Sequence, residues 1–448
     1  MLKKSDMTKD QNAAVDHIFA NNSTLLVADM GAGKTICALT AASELVTGGH
    51  LNRILVVSTI KVAKNVWETE PSKWEHLKRL NVALAIGGRK DRTQSLMGDA
   101  PIVCINFENL KWLNEAFDIT AHFDGLIIDE VSKLKSNSGA NFKAFKPHIK
   151  KFKWRLTMTG TPVSEDWTGL FGEMFMTDGG ASLGKNKQKY LDAHFYPTDY
   201  ERRNWALIPE QDEIIMRKIS PYLFHLPDYR HQLPELKEHI IKIPMGEHAT
   251  NMYRSFKQNM VADWAEHETT APNSAGLTGK LQQICQGFMY ADNRQHNKTV
   301  SQMHTEKLDV LKEKMKGRTA PTVIVYWFKQ DLINLQKAFK QGVVLDGPET
   351  IADWNGGKIK ILFLQPRSAG HGLNLAEGGS TMFFYSQVWS NDLSKQTIAR
   401  LWRRGQTKPV NVYHLVMQNT VDELMVVRIA QKEKYHALLL KHISGATV

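Results

Sequence analysis

Cysteine is scarce in this sequence: Cys37, Cys104 and Cys285 are the three present in 448 residues, and they lie far apart. No disulfide scaffold or cysteine-rich zinc module can be built from them, and a reducing, cytoplasmic setting is expected. Long apolar runs are missing too. None approaches the roughly 18 residues that span a bilayer. Residues 1–10 have no apolar core for a signal peptide. There is no internal repeat and no long low-complexity tract. Histidines such as His225, His231 and His239 are scattered without ligand spacing, so no zinc is expected. Acidic residues are outnumbered: 57 Lys and Arg face 46 Asp and Glu, a net charge of +11. That surplus suits a polyanionic partner such as nucleic acid and excludes nothing else by itself. What remains, 42% hydrophobic and 23% charged residues, is the balance of a globular chain long enough for two or three domains.

Short β-branched apolar runs recur. Residues 25–28, 54–57, 102–105 and 126–128 read as buried parallel strands. Between the first two lies an Ala-rich helical stretch, 35–45, ended by Gly48-Gly49. Strand, loop, helix, strand is a βαβ unit, and its repetition predicts an α/β fold with a parallel sheet. The second half repeats the theme, with strands expected at 323–328, 343–345, 359–364, 382–385 and 410–414 and helices over 330–339 and 393–403. Residues from about 179 to 300 lack the strand rhythm and read as helical, with breaks at Leu226-Pro227-Asp228 and over 269–279. Two α/β domains joined through a helical middle are expected.

Ala28-Asp29-Met30-Gly31-Ala32-Gly33-Lys34-Thr35 follows the first run and opens the helix. Backbone N–H groups of such a loop cradle phosphates, because the helix dipole and its orphan donors face the anion. Met30, Gly31, Ala32 and Gly33 are therefore expected to wrap a nucleoside triphosphate, with Lys34 reaching its β/γ-phosphates and the Thr35 hydroxyl on Mg²⁺. The first glycine of the general pattern is Ala28 here. Asp129-Glu130 closes the 126–128 run, at the sheet edge where parallel sheets bind ligands. Asp129 is expected to hold Mg²⁺ and Glu130 to polarise the attacking water. Arg400 and Arg403 stand three apart on an expected helix and so share a face. Two guanidinium groups there would neutralise charge developing on the γ-phosphate. Alone, the same stretch also reads as a solvated basic helix.

Residues 131–155 carry Lys133, Lys135, Lys143, Lys146, Lys150, Lys151, Lys153 and Arg155 without one acidic residue. A second cluster comprises Lys185, Lys187, Lys189, Arg202 and Arg203. Each reads either as a phosphate-binding groove, with Lys133 and Lys135 as candidate nucleic-acid contacts, or as a solvated face. Trp67, Trp74 and Trp112 are able to stack bases, although buried packing is the plainer reading.

Taken in order, these motifs resemble helicase superfamily two, and within it the SWI/SNF-type ATP-dependent DNA translocases. Gln11 matches the upstream glutamine that reads adenine in such proteins. Val66-Trp67-Glu68-Thr69-Glu70-Pro71-Ser72-Lys73-Trp74 is similar to the segment after the second strand. Asp129-Glu130 matches the metal motif, and Thr159-Gly160-Thr161-Pro162 the coupling motif. Leu233-Pro234 is similar to the opening of the second lobe. Ser368-Ala369-Gly370-His371-Gly372-Leu373-Asn374-Leu375 resembles the Gly-x-Asn-Leu motif, and Gln396, Arg400, Arg403, Gly405 and Gln406 complete the last one. The likeness spans about residues 9–427, and its wording from Gln365 to Gly372 is most similar to compact versions carried by bacteriophages and prophages. It departs at Glu165, where Asn is common, at Trp389-Ser390-Asn391 in place of Trp-Asn-Pro, and at Ala369 in place of Gly.

The resemblance implies two RecA-like lobes in tandem, 1–232 with a helical extension from about 179 and 233–448 with a helical insertion at about 247–290. It implies ATP and Mg²⁺ as cofactors, with ATP between the lobes and Gly372, Arg400 and Arg403 reaching it from the second. Gly160, Thr161, Ser368, Gly370 and Asn374 are the implied contacts to one DNA strand. The expected function is an ATP-dependent translocase or helicase on duplex DNA, in the cytoplasm of a bacterium or phage-infected host. The alternatives are an RNA-directed helicase and a DNA-binding recruitment factor with incidental ATPase activity. After Glu423 a terminal helix and a short tail remain, so neither a chromatin-reading module nor a second catalytic domain is expected.

Overall fold

The computed structural model describes residues 1–29, 31–160, 167–227, 229, 232–266, 272–290, 300–367 and 374–427, with backbone alone at 259–266, 272–277 and 392. They fall into two compact units, Met1–Tyr229 and a second one covering 232–427 of the described residues.

In the first unit, β1 (Ser23–Ala28), β2 (Ile54–Ser58), β3 (Val82–Ala85), β4 (Ile102–Asn106), β5 (Gly125–Asp129) and β6 (Trp154–Thr159) belong to one sheet. β7 (Phe195–Pro197) and β8 (Trp205–Leu207) pair as a separate antiparallel hairpin, and β9 (Leu223–Leu226) returns to the sheet. The order is β3-β4-β2-β5-β6-β1-β9, with every pairing parallel. Both faces are covered, which is why the inner strands read as unbroken apolar runs. Leu25, Val27, Leu55, Val57, Val103, Ile105, Leu126 and Ile128 share one core with Phe142, Phe145, Phe171 and Phe175. Each such side chain contributes about 1.5–3 kcal/mol on burial, so the sheet fixes where the loops at its C-terminal edge project. Helix α1 (Lys9–Ala20) starts at a Thr8 cap, and α2 (Lys34–Thr47) ends where the Gly48 N–H donates to Glu44.

The second unit adds β10 (Leu236–Ile243), the β11–β12 hairpin (Phe288–Tyr290, Val300–Gln302), β13 (Thr322–Val325), β14 (Val343–Val344), β15 (Ile361–Leu364), β16 (Thr381–Phe384) and β17 (Val410–Met417). Its main sheet runs β10-β17-β16-β13-β15-β14, again parallel throughout. Strand side chains alternate between two cores, Ile324, Phe363, Phe383 and Leu415 on one face and Val323, Leu362, Met382 and Phe384 on the other.

The α/β class with two parallel sheets agrees with the sequence reading, but the middle of the chain is less helical than expected. β7 to β11 all begin between residues 179 and 300. β10 escapes notice because it is an edge strand with exposed Lys237, Glu238 and Lys242, charges that break up the apolar run and blunt the edge. β9 is four residues long and also lies at an edge. The break expected over 269–279 is helical from Pro272, within Pro272–Cys285; residues 267–271 and Asp228 lie outside the described residues.

Candidate active site

The loop from β1 to α2 sets the α2 N-terminus against an open sheet edge. Gly31 and Gly33 have φ of +79° and +95°, a region that glycine adopts without strain. A Cβ on Gly33 would lie 2.3 Å from Gln11 Nε2, and one on Gly31 2.5 Å from the Tyr229 hydroxyl. Gln11 and Tyr229 thus brace the loop. The Gln11 side chain is used at both ends. Its Oε1 accepts from the Thr8 N–H at 2.9 Å, closing a capping box, and its Nε2 donates to the Ala32 carbonyl at 2.9 Å. Lys34 Nζ donates to the carbonyls of Ala28, at 2.6 Å, and Asp29, at 3.2 Å. Thr35 lies half-buried in the first turn of α2. Met30 lies outside the described residues.

The carboxylates come from β5, separated from β1 by β6. Asp129 Oδ2 accepts from the Trp67 indole N–H at 2.8 Å and from Ser58 Oγ at 3.4 Å. Trp67 is fully buried and ends a π-helical turn, Ala63–Trp67, that leads away from β2. Burial pushes the Asp129 carboxyl above its ordinary value; the Trp67 bond opposes this, the Glu130 charge reinforces it, and Lys34 and Ser58 oppose it. Glu130 sits at φ 72°, ψ 65°, a costly conformation for a residue with a Cβ. That turn presents its Oε1 to the hydroxyls of Ser132, at 2.8 Å, and Thr159, at 3.1 Å. Thr159 closes β6, and a Cβ on the next residue, Gly160, would lie 3.8 Å from Lys34 Nζ. The structure therefore brings Gly160, expected against nucleic acid, beside the phosphate-loop lysine. Thr161 lies outside the described residues. A glycine cradle at a helix N-terminus fits a polyphosphate, and the Thr35 hydroxyl and Asp129 carboxylate are the hard oxygen donors that suit Mg²⁺.

In the second unit the expected helix stops early, at Ile398 (Asn391–Ile398), with Ala399 as its cap. Arg400 and Arg403 follow in turns, so they do not share a helical face as the spacing implied. The turn is tied by Arg400 N–H to Thr397 and Gln406 N–H to Arg403. Arg400 is 5% exposed and Arg403 half-buried. Burial, with the neighbouring Arg403 charge, brings the Arg400 guanidinium down to about 10. Gln406 is a structural staple, donating to the carbonyls of Ala376 and Gly379 at 2.9 Å. Asn374 caps its own turn, its Oδ1 accepting from the Ala376 N–H at 3.2 Å. Ser368, Gly370 and Gly372 lie outside the described residues.

The basic run divides by role. Arg155 is internal, donating to the carbonyls of Ile149, Phe152 and Thr177 and to Ser23 Oγ. Lys153 pairs with Asp124 at 3.4 Å. Lys133 is exposed, its ammonium 5.9 Å from the centre of the Phe107 ring, while Lys135 is half-buried. Trp74 is buried with its N–H on Glu70, and Trp112 lies beneath the Arg92 guanidinium at 4.2 Å. Among the described residues no group of His, Cys, Asp and Glu is arranged to hold a metal by itself, and no helix is long and apolar enough to cross a membrane. Sequence reasoning missed Ser58, Ser132 and Tyr229 as parts of this site, and it placed Trp67 and Thr159 in motifs without pairing them with Asp129 and Glu130. One signal was available for Trp67: a buried indole N–H needs an acceptor, and the nearest strand ends supply carboxylates.

A model of the SNF2-related domain matches residues 7–290, more than half of the sequence. The chain belongs to the SNF2-related family. Membership in this ATPase family implies nucleotide binding. This SNF2-related chain is 29% identical to protein p41 of Acyrthosiphon pisum secondary endosymbiont phage 1, over 96% of its own length and 97% of that protein's. It is 24% identical to the DNA repair and recombination protein RAD54-like of Drosophila virilis, covering 95% of this chain and 61% of that one. It thus spans less than two thirds of that longer relative. Among solved structures it is similar to the Sulfolobus solfataricus SWI2/SNF2 ATPase core in complex with dsDNA, at 20% identity, 97% and 92% coverage and a TM-score of 0.45.

Proposed function

We propose that this SNF2-related chain is a Mg²⁺- and ATP-dependent motor that moves along or remodels duplex DNA. One observation carries the reading: Glu130, the candidate hydrolytic carboxylate, is hydrogen-bonded to Thr159, which opens the Thr159-Gly160 segment next to Lys34. A segment proposed to face nucleic acid and the proposed hydrolytic residue thus share one hydroxyl, an arrangement that supports coupling of the two.

Lys34 exchanges its loop carbonyls for the β/γ-phosphates, and the loop N–H groups bind the remaining charge. Glu130 orients and deprotonates the attacking water. Thr35 and Asp129 would hold Mg²⁺, which when bound would neutralise phosphate charge. Arg400 and Arg403 add positive charge at the γ-phosphate in the ATP-bound state. Gln11 links the base end of the site to the loop through Ala32. Lys133 and Lys135, with Thr161, Ser368, Gly370 and Asn374, are proposed to follow the backbone of one strand, and Gly372 to lie near the nucleotide. The names of the RAD54-like relatives, DNA repair and recombination proteins, favour DNA over RNA.

Phosphate release is to be measured with duplex DNA, single-stranded DNA and RNA, alongside triplex displacement. The reading requires duplex stimulation and triplex displacement, both abolished by Lys34→Ala and Arg403→Ala. Stimulation by RNA alone would install the RNA-directed reading. Intact function in Glu130→Gln would leave a binding factor with incidental ATPase activity.

A further inference from the structure

The two lysine-rich clusters, distant in sequence, meet in the fold. A cleft of about 500 Å³ on the first unit is lined by Lys146 from one cluster and by Lys185, Lys187 and Arg202 from the other, with Asn186 and Trp205 between them. At its edge Lys150 lies close to Lys185, and the nearness of that second basic side chain pulls Lys150 below its ordinary value. Like charges held together in this way are relieved by an anion. Acidic groups lie nearby as well: the Asp178 charge acts on Lys150, though its carboxylate accepts from the N–H groups of Gly180, Ala181 and Ser182, while Asp192 lies 3.4 Å from Arg202 and Glu201 2.7 Å from Arg203, both pairs well exposed and so weak.

The β7–β8 hairpin forms one wall and projects beyond it. Its loop is fixed by Asp199, whose Oδ1 accepts from the N–H groups of Arg203, at 2.7 Å, and Asn204, at 3.1 Å. Arg202 takes the left-handed conformation, φ 54°, and its guanidinium lies 5.3 Å over the Trp205 ring, whose N–H donates back to the Arg202 carbonyl. At the tip of this braced loop Tyr200 is 103% exposed, and Tyr196 on the strand is 50% exposed. A solvated basic face has no use for a rigidly presented, uncovered aromatic ring. Cations for phosphates beside open rings for unpaired bases are the two parts of a single-strand site.

We propose that this cleft and hairpin tip bind a single-stranded phosphodiester segment, such as the unpaired arm of a forked duplex, separately from the strand-tracking surface. Phosphates lie along Lys146, Lys185 and Lys187, and an unpaired base stacks on Tyr200. The inference rests on the nucleic-acid reading above and adds a structural preference to it: forks over blunt duplexes.

The test uses the full chain with fluorescein-labelled blunt duplex, forked DNA of equal duplex length, and a fork with RNA arms. Wild type is expected to bind the DNA fork more tightly than the blunt duplex. Tyr200→Ala is expected to weaken fork binding about tenfold, with duplex affinity and duplex-stimulated ATPase within about twofold. Lys185→Ala/Lys187→Ala should lower the salt slope of fork binding by about 1.4, at about 0.7 for each phosphate that no longer meets a lysine. A 4-thiothymidine in the arm should crosslink to the peptide carrying residues 195–207. Fork affinity unchanged in both variants overturns the proposal, as does an equal loss for fork and blunt duplex. Tighter binding of the RNA-armed fork identifies RNA as the source of the single strand. If wild type binds no nucleic acid, the motor reading fails with it; if wild type binds and the variants match it, the cleft proposal alone falls.

Discussion

The indole N–H of Trp67 donates to the Asp129 carboxylate at 2.8 Å. A fully buried tryptophan therefore holds the candidate metal carboxylate by one oxygen, with Ser58 as a weaker second donor at 3.4 Å. Partners of this kind set ligand orientation, and losing them costs about 10–100-fold in metal affinity. Trp67→Phe keeps most of the ring and removes the N–H. The Mg²⁺ concentration for half-maximal ATPase is expected to rise at least about tenfold, and Mn²⁺ binding followed by electron paramagnetic resonance to weaken in parallel. A fall in thermal stability with unchanged metal affinity would reduce Trp67 to packing.

Thr159 and Glu130 make the second link. Thr159→Val removes the 3.1 Å bond to Glu130 while conserving shape. A hydrogen bond to a charged group is worth about 1.5–3 kcal/mol, so turnover is expected to fall about tenfold or more. The loss should appear in DNA-stimulated turnover, with little change in binding of a fluorescent ATP analogue. Glu130→Gln keeps an acceptor for Ser132 and Thr159 but loses the base, and turnover is expected to drop by about 10² or more.

Gly33→Ala tests the cradle. The new methyl would meet Gln11 Nε2 at 2.3 Å from a backbone at φ +95°. Strain of about 1–3 kcal/mol at the loop, together with displacement of Gln11, is expected to abolish binding of the ATP analogue while the far-ultraviolet circular dichroism spectrum is retained. Gln11→Ala relieves the clash but loses the Ala32 tether, so binding should weaken without vanishing.

A pH-dependent stability term belongs to Asp331 in the second unit. Its Oδ2 accepts from the N–H groups of Trp327 and Phe328 and from Ser386 Oγ, while Oδ1 is buried without a partner among the described residues. Burial raises its carboxyl from 3.8 to about 6 against those bonds. A raised carboxylate stabilises the fold most below its unfolded value, and the contribution is lost as pH climbs from about 4 through about 6, by about 3 kcal/mol. Asp331→Asn keeps the Oδ2 acceptor and does not titrate. Denaturant melts at pH 5 and pH 7.5 are expected to lie closer together in the variant.

Arg400 and Arg403 separate packing from charge. Arg400 is almost wholly buried and Arg403 is not. Arg400→Ala should lower both turnover and the melting temperature; Arg403→Ala should lower turnover alone. Equal melting temperatures would show that Arg400 carries no structural load.

The repeated strand runs, the glycine loop before α2 and the Asp129-Glu130 pair are legible in the residues alone, because each is a property of consecutive positions. Strand interiors buried on both faces read as unbroken apolar runs, and a phosphate loop is a local backbone shape. The edge strand Leu236–Ile243 was illegible because its outward charges imitate a loop. The helix before Arg400 was overextended because nothing in its residues marks Ile398 as the last. Tertiary structure alone decided which side chains meet. Trp67 reaches Asp129 across 62 positions, Thr159 reaches Glu130 across 29, and Gln11 reaches Ala32 across 21. Those pairings follow from the order β2-β5-β6-β1, a crossover pattern that no local periodicity encodes. The same folding set Lys146 beside Lys185 and turned two basic stretches into one cleft. Charge is written in the sequence, but its concentration in space is a product of the fold.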